Sequence, residues 1–168
     1  MLESFKSANP FETALALLAV ALATIVGARI FQGLGYPPCD LCLEQRYAYY
    51  TGVPLAAVVA LAARAGAPAS LVKIGLALLA LLFAANAVLA VYHTGVEFKW
   101  WQGPTACTGS AMDEPENVTD LLAAIDKVKV VRCDEVGLRI LGLSLANWDV
   151  FISAALAGLA ARAALRRA

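Results

Sequence analysis

The stretch IGLALLALLFAANAVLAVYHTGV, residues 74–96, holds 23 residues without a formal charge between Lys73 and Glu97. A bilayer core about 30 Å thick requires about 20 apolar residues in a helix. The stretch therefore predicts a helix that crosses a membrane. The whole chain agrees, because 61% of its residues are hydrophobic, the mean hydropathy is +0.71 and only 15% are charged, against about 25% in soluble domains.

Three other uncharged runs are candidate spans. They comprise 16 residues after Glu12, 17 residues after Arg46 and 12 residues after Asp149. Flanking Arg and Lys stems extend such runs by reaching toward the headgroups, but the last run is too short on length alone. We predict spans at about residues 12–30, 46–64, 73–93 and 148–165.

The distribution of charge supports the fourth span. With four spans, one side of the membrane receives six Lys/Arg and two acids, and the other receives the remaining seven Lys/Arg and eleven acids. The positive-inside bias then places both termini in the cytoplasm and the loops at about 31–45 and 94–147 outside. Because 13 Lys/Arg balance 13 Asp/Glu, the chain has no basic excess that would favour nucleic acid as a partner.

These spans predict an all-α membrane protein, a single integral membrane domain over residues 1–168 folded as an antiparallel bundle of four transmembrane helices. Small residues, mostly Ala, favour close helix packing in lipid, and Asn86 must bond a neighbouring helix. A short amphipathic surface helix is expected in the second outer loop, from the spacing of Val118, Leu121, Leu122, Ile125 and Val128. The alternative that the first span is a cleaved signal peptide would disturb the charge pattern.

All four cysteines fall in the predicted outer loops, which indicates disulfide chemistry in an oxidising compartment. Cys39 and Cys42 form a CxxC motif ahead of a helix expected to begin at about Leu43. A helix N-terminus stabilises a thiolate, so this pair is placed for redox exchange. Cys107 and Cys133 lie apart on the second loop, where they could meet another protein.

Two further side chains are expected near the CxxC motif. Arg46 follows Cys42 by one helical turn and could stabilise a thiolate or an anionic reduced cofactor, although an interfacial Arg could equally reach the headgroups. His93, the one histidine of the chain, ends the third span at the same membrane edge and could carry a proton. An interfacial histidine without a chemical role is the alternative.

Two structural explanations of the cysteines stay open at this point. The four thiols could form inert disulfides that brace the outer surface. They could also bind zinc, because a CxxC half-site is present, but the usual second CxxC is absent. We therefore expect no metal.

The combined pattern resembles the DsbB family, bacterial inner-membrane proteins that form disulfide bonds. The resemblance covers about residues 11–162. It rests on a proline before the CxxC, on Arg46, on Tyr92-His93, on the split pair Cys107 and Cys133, and on Leu141-Gly142-Leu143.

The resemblance implies a quinone-dependent thiol oxidase in the bacterial inner membrane, with its cysteines on the periplasmic side. By this likeness, Cys107 forms a mixed disulfide with a periplasmic DsbA-like thioredoxin-fold partner. Cys133 then exchanges with Cys39, and Cys42 faces the quinone, which is ubiquinone or menaquinone. Two electrons leave through the membrane quinone pool.

The resemblance further implies that Arg46 and His93 lie at the quinone. Asp40 between the two cysteines departs from the family pattern, and a carboxylate there should oppose thiolate formation. A relative of vitamin K epoxide reductase is one rival, but there we expect the CxxC late in the chain. A membrane scaffold without catalytic activity, held by structural disulfides, is the other.

Overall fold

The computed structural model describes residues 9–104 and 131–166. Within these residues the chain forms four helices and one small hairpin: α1 Pro10–Gly33, α2 Asp40–Arg64, α3 Ala69–Glu97, β1 Arg139–Ile140, β2 Leu143–Ser144 and α4 Leu145–Leu165. The amphipathic helix predicted between Cys107 and Cys133 lies outside the described residues.

Three of the four helices are long and apolar enough to cross a membrane. The mean hydropathy of their most apolar segments is 2.3 in α1, 2.5 in α3 and 1.4 in α4. Helix α2 is 25 residues long but is less apolar, because Asp40, Glu44 and Arg46 lie in its first two turns. The predicted spans in α1, α3 and α4 therefore have the required length and apolarity, and a crossing by α2 stays a prediction.

The helices are longer than the predicted spans, and α2 shows why. It begins at Asp40 and not at Leu43, so the CxxC motif lies within its first turn. Cys39 is the N-cap residue, and its sulfur accepts a hydrogen bond from the Cys42 backbone N–H over 3.3 Å. The negative charge of Asp40 suits the positive end of the helix dipole. The helix thus continues through the charged residues that lie beyond the end of the apolar run.

Helices α2 and α3 approach each other closely at two glycines. A Cβ atom on Gly52 would lie 2.7 Å from the ring of Phe83, and one on Gly75 would lie 2.4 Å from a methyl group of Val59. Neither position therefore has room for a Cβ atom, and glycine is the residue that fits. Buried aliphatic residues of all four helices continue this core along the bundle.

A cluster of polar side chains joins α2, α3 and α4 in the interior. Asn86 donates hydrogen bonds to Asp149 Oδ2 over 3.0 Å and to Ser153 Oγ over 2.9 Å, and Tyr49 donates to Asp149 Oδ1. The prediction that Asn86 bonds a neighbouring helix is confirmed. Tyr49 is 3% exposed and therefore lies inside the bundle.

The sequence Leu141-Gly142-Leu143 contributes the turn of the hairpin before α4. Leu141 and Gly142 have φ angles of 53° and 84°, as a two-residue turn with both central residues in the left-handed region requires. The Trp148 indole N–H donates to the Ile140 carbonyl over 3.0 Å. This contact fixes the hairpin against the first turn of α4.

Candidate functional site

The CxxC motif forms a close pair of free thiols at the start of α2. The sulfurs of Cys39 and Cys42 lie 2.6 Å apart; Cys39 is buried and Cys42 is partly exposed. The extended N-cap conformation of Cys39 turns its sulfur back over the first helical turn. Such proximity means that a small movement suffices to form a disulfide, whose S–S length is about 2.05 Å.

The two thiols differ in acidity, and both lie ahead of the segment 46–64 that we predict to span the membrane. Hydrogen bonding to Cys42, followed by burial, raises the pKa of Cys39 far above its usual value. The hydrogen bond from Cys39 lowers the pKa of Cys42; burial and the charge of Glu97 oppose this effect, and the charge of Arg46 adds to it. These directions make Cys42 the more acidic thiol of the pair, and the thiolate is the nucleophilic form of a cysteine.

His93 of α3 lies beside the buried thiol. Its Nε2 atom is 3.6 Å from Cys39 Sγ, and the side chain is only 2% exposed. The structure thus brings His93 to the CxxC motif, as the sequence suggested. An imidazole in hydrogen-bond contact with a thiol can accept its proton.

Arg46 is held inside the protein by α1. Its guanidinium donates to Gln32 Oε1 over 2.7 Å and to the Ala28 carbonyl over 3.4 Å, and the residue is 8% exposed. This geometry decides against an arginine that reaches outward to headgroups. The guanidinium instead holds its positive charge close enough to Cys42 to lower the pKa of that thiol.

A cavity of about 650 Å³ opens beside these groups. Cys39, Cys42, Arg46 and His93 all contribute to its wall, and most of the remaining wall is apolar, with residues such as Ile25, Ala28, Phe31 and Ile152. This volume is typical of a site for a small organic ligand. The two sulfurs therefore face a largely apolar space in which a ligand of this size could bind.

Gln45, to which no sequence pattern pointed, adds a hydrogen-bond donor to the same wall. The residue is 6% exposed, yet its side-chain Nε2 has no hydrogen-bond partner among the described residues. A buried amide without a partner costs about 1–3 kcal/mol. A ligand carbonyl oxygen in the cavity would supply the missing acceptor.

Of the second cysteine pair, Cys133 is the member that lies within the described residues. This residue is disulfide-bonded and 1% exposed, and it shares a buried cluster with Cys39, Leu41 and Val96. Cys107, predicted to meet the partner protein, lies outside the described residues. The structure therefore brings one cysteine of the second pair to the buried member of the first.

The CxxC motif and His93 also offer donor atoms that a metal ion could use. The sulfurs of Cys39 and Cys42 and a ring nitrogen of His93 all lie within 4.8 Å of one another. These groups suit zinc, but a structural zinc site needs a fourth ligand. The described residues therefore supply three of the four ligands that such a zinc site needs.

The acid that acts on Cys42 is not the one that the sequence indicated. Asp40 is exposed in the first turn of α2, whereas Glu97, at the end of α3, raises the pKa of Cys42. Glu97 in turn accepts a hydrogen bond from Ser144 over 2.5 Å. The proximity of Glu97 to Cys42 depends on how the end of α3 packs against the start of α4. No local sequence pattern encodes this packing.

Comparison with known proteins identifies the family of the chain. The family model described as disulfide bond formation protein DsbB matches residues 11–163. The disulfide bond formation protein B of Polaromonas sp. is 29% identical over 151 residues, which cover 86% of each chain. No solved structure gives a significant match. The family match favours DsbB over the vitamin K epoxide reductase family. The chain therefore belongs to the DsbB family of membrane oxidoreductases, which form disulfide bonds.

Proposed function

We propose that this protein is a quinone-linked thiol oxidase that reoxidises a periplasmic DsbA-like protein of the thioredoxin fold. The observation that carries the proposal is the opening of the Cys39–Cys42 pair into a cavity that also receives Arg46 and His93. A scaffold held by structural disulfides has no need for two free thiols with opposite pKa shifts beside such a cavity.

The first half of the reaction is thiol–disulfide exchange. The Cys107–Cys133 pair accepts electrons from the reduced partner, with Cys107 in the mixed disulfide. Cys133 then exchanges with Cys39, and their common buried cluster supports this step. Exchange only moves a disulfide from one protein to another, so net synthesis requires an acceptor for two electrons.

A membrane quinone is the acceptor that fits the cavity. The apolar wall matches a lipid-soluble ring, and Gln45 Nε2 and the Arg46 guanidinium are donors for ring carbonyl oxygens. A bound quinone supplies two-electron acceptor chemistry. Around it, Cys42 provides the thiolate, Arg46 stabilises negative charge, and His93 takes the proton that Cys39 loses as the disulfide closes.

The proposed function includes a membrane topology. We propose one integral membrane unit with four antiparallel spans, both termini in the cytoplasm and the cysteines on the periplasmic side of the bacterial inner membrane. Contacts between helix ends support this arrangement: Arg46 near the start of α2 bonds Gln32 at the end of α1, and Thr94 near the end of α3 bonds Asn147 in the first turn of α4.

Trapping of the mixed disulfide tests the partner reaction. The Cys133→Ser variant, which lacks the resolving thiol, should accumulate a covalent complex with a DsbA-like protein through Cys107. The Cys107→Ser variant is the matched control and should form none. If folded Cys133→Ser protein traps no partner, the cysteines are structural and the proposed oxidase is wrong.

A further inference from the structure

Asp149 is a buried carboxyl group in the wall of the cavity. It is 8% exposed and receives hydrogen bonds from Tyr49 and Ser153 on Oδ1 and from Asn86 on Oδ2. Tyr49 lines the same cavity. A carboxyl group and a phenol, hydrogen-bonded to each other, therefore face the space beside the CxxC motif.

The interhelical link alone does not explain a carboxyl group at this position. All the hydrogen bonds of Asp149 within the described residues come from neutral groups, and an ionised carboxylate without a cation is costly inside a bundle. An Asn side chain could join the helices without that cost. What the carboxyl adds is the ability to hold and release a proton.

We propose that Asp149 and Tyr49 form a proton relay to the ligand of the cavity, with the Tyr49 hydroxyl as the catalytic group in contact with a ligand carbonyl oxygen. In the relay Asp149 starts protonated, and the hydrogen bond between the two groups reverses, so that Asp149 donates to the Tyr49 oxygen. The Tyr49 hydroxyl then gives its proton to the ligand oxygen and takes the proton of Asp149. The proposal rests on the proposed quinone reaction. It names residues that neither the cysteine pattern nor the family match assigns.

The relay balances the reaction. Closure of the Cys39–Cys42 disulfide releases two electrons and two thiol protons, and reduction of a quinone to a quinol consumes two electrons and two protons. Cys42 has already given its proton to water as it becomes a thiolate, and the proton of Cys39 passes to His93. One proton reaches the quinone through the relay, which water in the cavity recharges, and water supplies the second.

The other ionised or titratable groups on the cavity wall suit this role less well. Besides the two thiols and the exposed phenol of Tyr36 they are Arg46, His93, Glu97, Arg132 and Glu135. Glu97 already accepts a hydrogen bond from Ser144 and acts on Cys42. The Glu135 side chain is 70% exposed and is paired with Arg132. Asp149 is thus the buried carboxyl of this wall.

The test compares wild type with Asp149→Asn, which keeps the shape of the side chain, and with Tyr49→Phe, which keeps the Asn86–Asp149 bond. Ser153→Ala is the matched control, because it removes the hydrogen bonds of Ser153 to Tyr49, Asn86 and Asp149 but leaves both groups of the relay in place. Reduced protein is mixed with ubiquinone-1 or menadione in a single turnover. We expect quinone reduction at least about 30-fold slower in Asp149→Asn and Tyr49→Phe and within twofold of wild type in Ser153→Ala.

Two readouts separate the relay from a structural role. Quinone affinity, measured by quenching of tryptophan fluorescence, should change less than threefold in either variant. Infrared difference spectra of wild type upon quinone binding should show a carboxylic C=O band that shifts on binding and is absent from Asp149→Asn. Wild-type rates in Tyr49→Phe, or no such band, would overturn the relay even if Asp149→Asn fails to fold. A wild-type protein that reduces no quinone would overturn the proposed function itself.

Discussion

The thiol of Cys39 and the imidazole of His93 lie 3.6 Å apart although 54 residues separate them in the chain. Helix α2 starts, and helix α3 ends, at the same edge of the protein, and both side chains are buried there. A buried thiol has little access to water as a proton acceptor. We therefore propose that the imidazole is the immediate proton acceptor when Cys39 enters a disulfide.

Replacement of His93 tests this pairing. His93→Gln should slow closure of the Cys39–Cys42 disulfide by about 10- to 100-fold, because the buried thiol loses its proton acceptor. Stopped-flow measurement of disulfide closure gives the rate. The rate of Cys42 alkylation is the control and should be close to that of wild type. Closure at the wild-type rate would contradict a role for His93 in proton transfer.

The acidity of Cys42 should respond in opposite directions to two substitutions. Because the charge of Arg46 lowers and that of Glu97 raises the pKa of Cys42, Arg46→Gln should move the midpoint of alkylation to higher pH and Glu97→Gln to lower pH. The thiolate fraction falls tenfold for each pH unit below the pKa, so Arg46→Gln also reacts more slowly at neutral pH.

This measurement uses a Cys107→Ser/Cys133→Ser background with Cys39 and Cys42 reduced, so that only the CxxC thiols react with iodoacetamide. Asp40→Asn is the matched control for removal of a carboxylate, since Asp40 is exposed and is not among the groups that shift Cys42. A larger shift for Asp40→Asn than for Glu97→Gln would overturn the assignment of Glu97.

The close approach of α2 and α3 predicts a stability effect. Gly75→Ala and Gly52→Ala should each lower the free energy of unfolding by about 1–3 kcal/mol, because the new methyl group overlaps Val59 or Phe83. Gly158→Ala in α4 is the control, since nothing lies within 4 Å of its Cβ position. It should be neutral or stabilising by up to about 1 kcal/mol. Thermal unfolding in detergent orders the three variants, and equal effects would contradict the packing.

The hairpin turn offers a stabilising substitution. Leu141 has a φ of 53° and is 88% exposed, so its side chain strains the backbone and contributes little packing. Leu141→Asn should raise the free energy of unfolding by about 0.5–1 kcal/mol, because Asn tolerates the left-handed region. Gly142→Ala should lower it. A destabilised Leu141→Asn protein would show that Leu141 has a packing role.

Much of the fold could be predicted because uncharged runs and lipid thickness constrain the helices directly. The uncharged runs located the helical segments but not their ends. Charged residues such as Asp40 and Glu97 fit in the terminal turns of a helix, so the helices continue beyond the apolar stretches. The hairpin was missed because Leu141 is an uncommon residue for a left-handed position. Whether α2 spans the membrane depends on its surroundings more than on its composition.

The site was predictable where chemistry and spacing coincide. The CxxC motif and Arg46 lie one helical turn apart, and His93 lies at the end of a predicted span at the same edge. Local sequence patterns were therefore enough to predict that these residues lie close together. Gln45, Glu97 and Asp149 were missed because their importance comes from contacts between helices. In the sequence, Asp149 is an isolated charge that marks the start of an apolar run. Its place in the cavity wall becomes visible only from the packing of the helices.

The most direct test of the account is quinone reduction by the purified protein with a reduced thioredoxin-fold donor, compared between wild type and Cys42→Ser. Wild type should turn over and Cys42→Ser should not, because in the proposed reaction Cys42 is the sulfur that passes electrons to the quinone. Folded wild-type protein that gives no turnover with several donors and with both ubiquinone and menaquinone would contradict it, as would a Cys42→Ser variant that turns over normally.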